Sequence, residues 1–484
     1  MTTTDGGGGA PLVREVTPET NRWRPWATRL TAGVAQVDVT PPVGIRAHNW
    51  GASRVEVATG VHQPLTASVL SWRDGTGWRD LVTVDLGWWG SVERYLSVFT
   101  PLCDLIGATE ESLLLHLVHT HAGPTLAVEG DDAPGMELVG PYRAELIDRL
   151  AGAVHQARSA ARESVVTWAY GKCSLAVGRD LPCGERDVVG FNPDQPADDT
   201  VLVGRVSTAG EVAAVLVNYA CHPTTLAHEN SLLSPDFIGS TRAVVEGRVG
   251  TPCLFFQGAS GDLAPRDQYL PGTSLAERNG RSLGYAVLAT LETMGSPGTE
   301  LAFDGVVESG APLAIWREHP APAPAATSYQ RLPVELTRTP PMTAAQLAER
   351  FPGIDPVAAE ERLRRATRLR EHYADGATLT YPVWIWTMGD AVIVASPGEA
   401  FSLLQTELRR RHPDRPIMVL NLTNGPGFMY LPTRASYRRD RYQVWQTLLA
   451  EGCLEEVIDV VDAHIPARSA EAAGHQPSTA EPTS

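Results

Sequence analysis

Cysteine is scarce in this chain: six residues (Cys103, Cys173, Cys183, Cys221, Cys253, Cys453) are scattered over 484 positions without a C-x-x-C pair. That excludes a disulfide framework and a thiolate zinc knuckle, and predicts reduced thiols in buried or inert places. Positive charge is also short, with 40 Lys+Arg against 56 Asp+Glu for a formal net charge of −16. Such a chain has no overall attraction to phosphate backbones or anionic lipid, so no nucleic-acid partner is expected. Long apolar runs are missing as well. The strongest, residues 212–217 and 391–395, fall far below the roughly 20 residues that a membrane-crossing helix needs. The opening MTTTDGGGGAPLVREVTPETNRWRPW has neither a basic n-region nor an apolar h-region, so the expected compartment is the cytoplasm. No G-x-S-x-G elbow, G-x-x-x-x-G-K-[ST] loop, G-x-G-x-x-G fingerprint or H-E-x-x-H helix is present. Standard α/β-hydrolases, P-loop enzymes, dinucleotide oxidoreductases and zincins are thereby set aside.

What is present is an ordinary globular composition, 43% hydrophobic and 20% charged, able to bury a sizeable core. Short β-branched or apolar runs bounded by Gly, Pro and Asp predict strands at 33–39, 65–71, 81–86, 113–118, 201–206, 212–218 and 253–256. Helical periodicity marks 142–161, 274–291 and 399–410. The pattern reads as a mixed α/β domain rather than a sandwich or a bundle. Residues 1–27 and 466–484 are too poor in apolar side chains to offset their ordering entropy and are expected to be disordered. Residues 28–465 then form one catalytic domain. A Pro-rich linker and an Arg/Glu/Ala-rich helical insert span 318–375, after which strand composition returns at 381–388 and 391–395 and the sheet is expected to resume.

Four segments can carry chemistry. In LLLHLVHTHAGP (113–124) an apolar strand ends in His119 and His121, which share a strand face and can present a metal-ligand or catalytic pair, although polar packing explains such a pair too. His116 faces the other way and reads as a core histidine. In AVLVNYACHPTTL (214–226) a second strand delivers His222, a residue type that commonly binds zinc. In LFFQGASGDLAP (254–265), Gly258 and Gly261 flank Asp262; that carboxylate can orient a metal-bound imidazole or simply make an Asx turn. ASPGEAF (395–401) places Glu399 at a predicted helix start, where glutamate usually complements the helix dipole. Trp88, Trp89, Trp384 and Trp386 can line an apolar pocket or pack in the core.

In this order, AGVAQVDVTPPVGI, LVTVDLGWWG, HTHAGP, LVNYACHPTTL, SPDFIG, QGASGDLAP, SPGEAF and NGPGFMYLPTRASYRRDRYQ cover most of residues 32–450. The chain resembles the neutral/alkaline (non-lysosomal) ceramidase family, zinc-dependent amidases that cleave the N-acyl bond of ceramide. The resemblance implies that family's α/β catalytic fold and one Zn²⁺ per chain. His119 and His222, Glu399 and Tyr430 match the zinc ligands. His121 matches the histidine beside the metal-bound water, and Arg179 and Tyr442 match positions that bind the developing oxyanion. In such a site zinc lowers the pKa of bound water to about 7 and supplies a hydroxide nucleophile, so no serine is needed. A His, Glu and Tyr ligand set also suits manganese or iron.

The chain departs from the family where GDLAPR puts Ala264 at a serine and Arg266 at an asparagine. Little sequence follows Tyr442 for the family's carboxy-terminal sandwich, and the family's usual secretion signal is not seen. The expected function is therefore zinc-dependent hydrolysis of a small-molecule or lipid-like N-acyl amide other than ceramide, such as a specialised metabolite. Acyl transfer or amide formation on the same site, and a metal-bearing binding protein without turnover, are the alternatives.

Overall fold

The computed structural model describes residues 22–51, 53–126, 132–340, 342–350, 353–372, 376–426 and 430–468. All seven runs read as strands up to residue 256 lie in one mixed sheet, formed by β1 (Trp26–Asp38), β2 (Thr66–Asp74), β3 (Gly77–Val84), β4 (Leu113–Leu117), β5 (Arg162–Lys172), β6 (Thr200–Thr208), β7 (Glu211–Tyr219) and β8 (Cys253–Gln257). Only β5 was not anticipated. Its order is β8-β7-β6-β5-β1-β2-β3-β4, with β3–β4 and β7–β8 parallel and the other neighbours antiparallel.

Side-chain alternation decides what each face meets. On β4, Leu113, Leu115 and Leu117 pack against helices α1 (Val92–Ile106) and α2 (Val139–Ser159), while Leu114 points to the other side. Ser91 caps α1 by accepting from the Arg94 N–H at 3.2 Å, and Gly107 at φ 62° ends it. Helices α3 (Phe237–Val249) and α4 (Ser274–Glu292) cover the same outer face over β6, β7 and β8.

The sheet does not resume after the insert. Instead, β9 (Thr327–Thr337), β10 (Thr378–Met388), β11 (Ala391–Ala395) and β12 (Ile417–Leu420) build a second sheet in that order. Its Trp384, Trp386 and Ile393 fill the inner face of the first sheet beside Trp72, Trp168 and Phe256, and Trp72 meets Trp386 edge-on at 5.5 Å. Helices α6 (Leu403–Arg411) and α7 (Cys453–His464) cover its outer face. The α/β architecture thus contains a sheet-on-sheet core, because strand composition identifies strands but not their partners.

Two further expectations are corrected. The proline-rich stretch is no linker: Pro312–Pro320 pairs with Thr299–Glu308, and β9 pairs with β10 from Thr327↔Met388 to Thr337↔Thr378. Pro333 lies on this edge strand, where a missing N–H is tolerated. The helical part is real, as Ala344–Arg350 and α5 (Pro356–His372), with Pro356 opening the latter. Of the ends expected to be disordered, 1–21 and 469–484 lie outside the described residues. Arg22–Trp23 pairs with the strand Thr299–Glu308, and Arg468 donates to Asp390 at 3.0 Å, so order extends past both predicted borders. Among the described residues, no helix is long and apolar enough to cross a membrane.

Candidate metal centre

The edge strands β4 and β8 lie at opposite ends of the first sheet, yet side chains join them. His116 on β4 accepts from the Gln257 N–H at 2.9 Å, its Nδ1 lies 3.0 Å from Thr423 Oγ1, and Thr83 Oγ1 donates to Phe255 O at 2.7 Å. His116 is the core histidine that its position implied, held neutral by burial, which pushes its pKa down to about 3. The curled sheet brings the segments that follow β4, β7 and β8 to one place. His119 comes from the first, His222 from the second, and the Ser260 carbonyl from the third.

Each of these imidazoles is fixed by its far nitrogen. His119 Nδ1 lies 3.0 Å from Gly87 O, and His222 Nδ1 lies 2.8 Å from Ser260 O. A carbonyl can only accept, so both rings carry their proton on Nδ1 and present bare Nε2 atoms. These Nε2 atoms stand 3.0 Å apart, and Glu399 Oε2 lies 3.2 Å from the first and 3.1 Å from the second. Three lone pairs thus converge in a buried triangle with no donor among them. The Nδ1 contacts are the outer-shell bonds that orient metal-bound histidines. Triangle edges near 3 Å also suit a tetrahedral site with bonds of about 2.0–2.1 Å. The residues present therefore fit a zinc-like cation. Burial, then the nearby Arg179, pushes His222 down to about 3, so this ring is neutral as a ligand must be.

The other residues matched from sequence gather around this triangle. Glu399 is not in a helix: Glu399–Ala400 is a short strand paired with Tyr430–Leu431, and Glu399 is the register partner of Tyr430. The helix starts only at Leu403. Tyr430 stacks beside His222 with ring centroids 6.5 Å apart, and burial pushes its phenol well above the ordinary range. Arg179 donates to Tyr430 Oη at 3.2 Å and twice to Gly261 O, at 3.1 and 2.8 Å. His121 lies 4.8 Å from His119, centroid to centroid, and 4.9 Å from Trp50. Among the described residues, neither of its ring nitrogens has a hydrogen-bond partner, and burial holds its pKa well below the usual value. The possible ligand nitrogens of His119, His121 and His222 all lie within 4.8 Å of one another. Tyr442 packs edge-on against Tyr430 at 5.5 Å.

A cavity of about 250 Å³ opens in front of the triangle, lined by His121, Arg179, His222, Tyr430 and Tyr442 among others. A smaller recess lies on the His119 and Glu399 side. Sequence reasoning missed the contribution of α5: Arg365 donates to Tyr442 Oη at 2.8 Å and pairs with Glu361 at 2.6 Å. A stretch so rich in Arg and Glu reads as a solvated helix, and no local signal says otherwise.

Several expectations take a different form. Asp262 does not touch an imidazole; it accepts from Ser402 N at 2.6 Å and Ser402 Oγ at 2.8 Å, anchoring the segment that follows Glu399. Burial pushes its carboxyl up to about 6. Gly261 serves backbone packing, since a Cβ there would fall 2.6 Å from Glu399 O. Trp384 and Trp386 are in the sheet-on-sheet core and Trp89 in the α1 core, so only Trp88 of the four lines the site. Ala264 is fully buried on a strand paired with Ala176–Gly178, and Arg266 contacts Asp267 at 3.3 Å. All six cysteines are free, four of them buried, with Cys103 half-buried and Cys183 exposed.

No protein-family model matches the sequence, and none of the curated proteins is similar to it in sequence. Solved structures are similar in fold. A ceramidase complexed with C2 superposes with a TM-score of 0.62 at 16% identity, covering 89% of this chain and 74% of that one. A neutral ceramidase from Pseudomonas aeruginosa gives 0.62 at 17% identity, covering 91% and 74%. With 16–17% identity spread over about nine-tenths of its length, this chain has a divergent form of the neutral ceramidase fold.

Proposed function

We propose that this protein is a zinc-dependent amide hydrolase that cleaves the N-acyl bond of a small or lipid-like amide other than ceramide, with residues 28–465 as its catalytic unit. The observation that carries the reading is the buried triangle of His119 Nε2, His222 Nε2 and Glu399 Oε2 beside an open cavity. These three residues would hold the metal, with Tyr430 as the fourth ligand. When bound there, zinc polarises a carbonyl and lowers the pKa of water to about 7.

The chain's own groups do the rest. Arg365 donates to Tyr442 Oη, which leaves the phenolic hydrogen free to bind the substrate carbonyl oxygen as it gains negative charge. Arg179, fixed on Gly261 O and Tyr430, adds positive charge nearby. His121 is neutral and has both nitrogens unpartnered, so one nitrogen can take a proton while the other ends up donating, and the leaving amine can receive one. Ala264 supplies no nucleophile, and none is needed.

The test is metal content of the wild type beside His119→Ala and His222→Ala, followed by amide hydrolysis across N-acyl chain lengths on the same samples. About one zinc per chain, lost in both variants together with activity, is the expected result. A folded wild type that resists zinc loading would overturn the mechanism. Product formed only when an amine acceptor is added would replace hydrolysis with acyl transfer.

A further inference from the structure

Helix α5 turns one alanine and three charged side chains toward the cavity. Ala358, Glu361, Arg362 and Arg365 stand at i, i+3, i+4 and i+7 and share one face, and all four line the cavity in front of the metal centre. A helix covering a hydrophobic cleft would present leucine or valine at these positions. Arg365 is fixed by Glu361 and by Tyr442, and Arg362 lies over the Trp445 ring at 4.9 Å. Arg179 enters the same cavity from the segment after β5.

The charge balance of this space is opposite to that of the chain. Among the described residues, three arginines line it against Glu361 and the adjacent Glu399, 3 − 2 = +1, in a protein whose formal charge is −16; Arg362 also borders a neighbouring cleft that holds Arg186, Asp187 and Asp440. A divalent cation on the triangle would add to the excess. In a cleft with low-dielectric walls such an excess concentrates anions, and a neutral amide gains nothing from it. Guanidinium groups match the planar two-oxygen geometry of a carboxylate.

We propose that Arg362 and Arg365, with Arg179, form a subsite for a carboxylate carried by the substrate, so that this protein acts on N-acyl amino acids. The proposal rests on the amide-hydrolase reading of the same site and deepens it. Arg362 recognises the carboxylate, Arg179 adds charge from its fixed place on Gly261 O and Tyr430, and Arg365 both contributes charge and positions Tyr442.

The test compares two matched pairs of compounds. N-octanoylglycine and N-octanoylglycinamide differ only in the terminal carboxylate and are assayed for turnover. Their sulfonamide counterparts, N-octylsulfonylglycine and its primary amide, resist hydrolysis and are assayed for equilibrium binding by calorimetry. The wild type is expected to bind the carboxylate about tenfold more tightly than the amide, with a preference that shrinks at high ionic strength. Arg362→Met should abolish most of that ratio and Arg362→Lys should keep part of it. Equal or reversed affinities in the wild type would overturn the subsite, whether or not either amide is hydrolysed. If Arg362→Met fails to fold, the wild-type affinity ratio and its salt dependence decide alone. A carboxylate preference without hydrolysis would retain the subsite and sink the hydrolase reading, while hydrolysis of both amides without preference would do the reverse.

Discussion

His119 and His222 face each other with Nε2 atoms 3.0 Å apart, and each donates its Nδ1–H to a backbone carbonyl, Gly87 in one case and Ser260 in the other. Two bare imidazole nitrogens and the Glu399 carboxylate repel one another unless a cation sits among them. Zinc added to metal-stripped protein should therefore raise its thermal stability, by about 4 kcal/mol once free metal exceeds Kd a thousandfold. His119→Ala should remove this response. A thermal midpoint that zinc leaves unmoved in the wild type would count against the site.

His121 lies close enough to the other two histidines to be a third nitrogen ligand, but its unpartnered nitrogens equally suit proton transfer. The Glu399 contacts at 3.1 and 3.2 Å complete the triangle without it. His121→Ala is thus expected to lower turnover by about 10²- to 10⁴-fold while zinc content stays near the wild-type value. Equal loss of both would make His121 a ligand and displace Glu399 or Tyr430 from that role.

Asp262 holds Ser402, and through it the short strand that carries Glu399, while burial lifts its carboxyl to about 6. Its unfolded value is about 3.9. A carboxyl with a raised folded pKa contributes stability that is fully present below the unfolded value and is lost as pH rises through the folded one. Asp262→Asn keeps an acceptor for Ser402 and cannot ionise. Relative to wild type it should gain ground between about pH 4 and pH 7, by up to about 3 kcal/mol. Urea midpoints of both proteins at these two pH values measure it, and a pH-independent difference would refute the assignment.

The seven early strands were legible because β-branched runs bounded by Gly, Pro and Asp leave few alternatives. Pairing was not, since nothing in residues 381–395 distinguishes rejoining one sheet from founding another. His119 and His222 could be read from strand ends, although the supporting geometry differs: β4 stops at Leu117, and His119 sits at φ 72°, so a left-handed kink rather than strand alternation aims its ring. Glu399 was identified through the motif ASPGEAF but assigned to the wrong element, because helical periodicity in 399–410 masked a two-residue strand. Arg365 was invisible, as its role depends on a helix folding back over Tyr442 from 77 positions away.

That fold-back makes Arg365 a test of whether α5 belongs to the catalytic apparatus. The guanidinium donates to Tyr442 Oη and shares Glu361 with Arg364, so Arg365→Met deprives the phenol of its donor and leaves Glu361 with Arg364 alone. With a neutral N-acyl amide, where carboxylate recognition plays no part, the variant should lose about 10- to 100-fold in kcat with little change in KM, the pattern of an interaction realised in the transition state. Arg365→Lys should restore part of that loss by returning a cationic donor. The double variant Glu361→Gln/Arg365→Met also removes the carboxylate that Arg365 helped to balance, so it should regain part of any lost stability without regaining rate. If the double variant recovers both, Arg365 acts through packing of α5 alone, and the orientation of Tyr442 is set elsewhere.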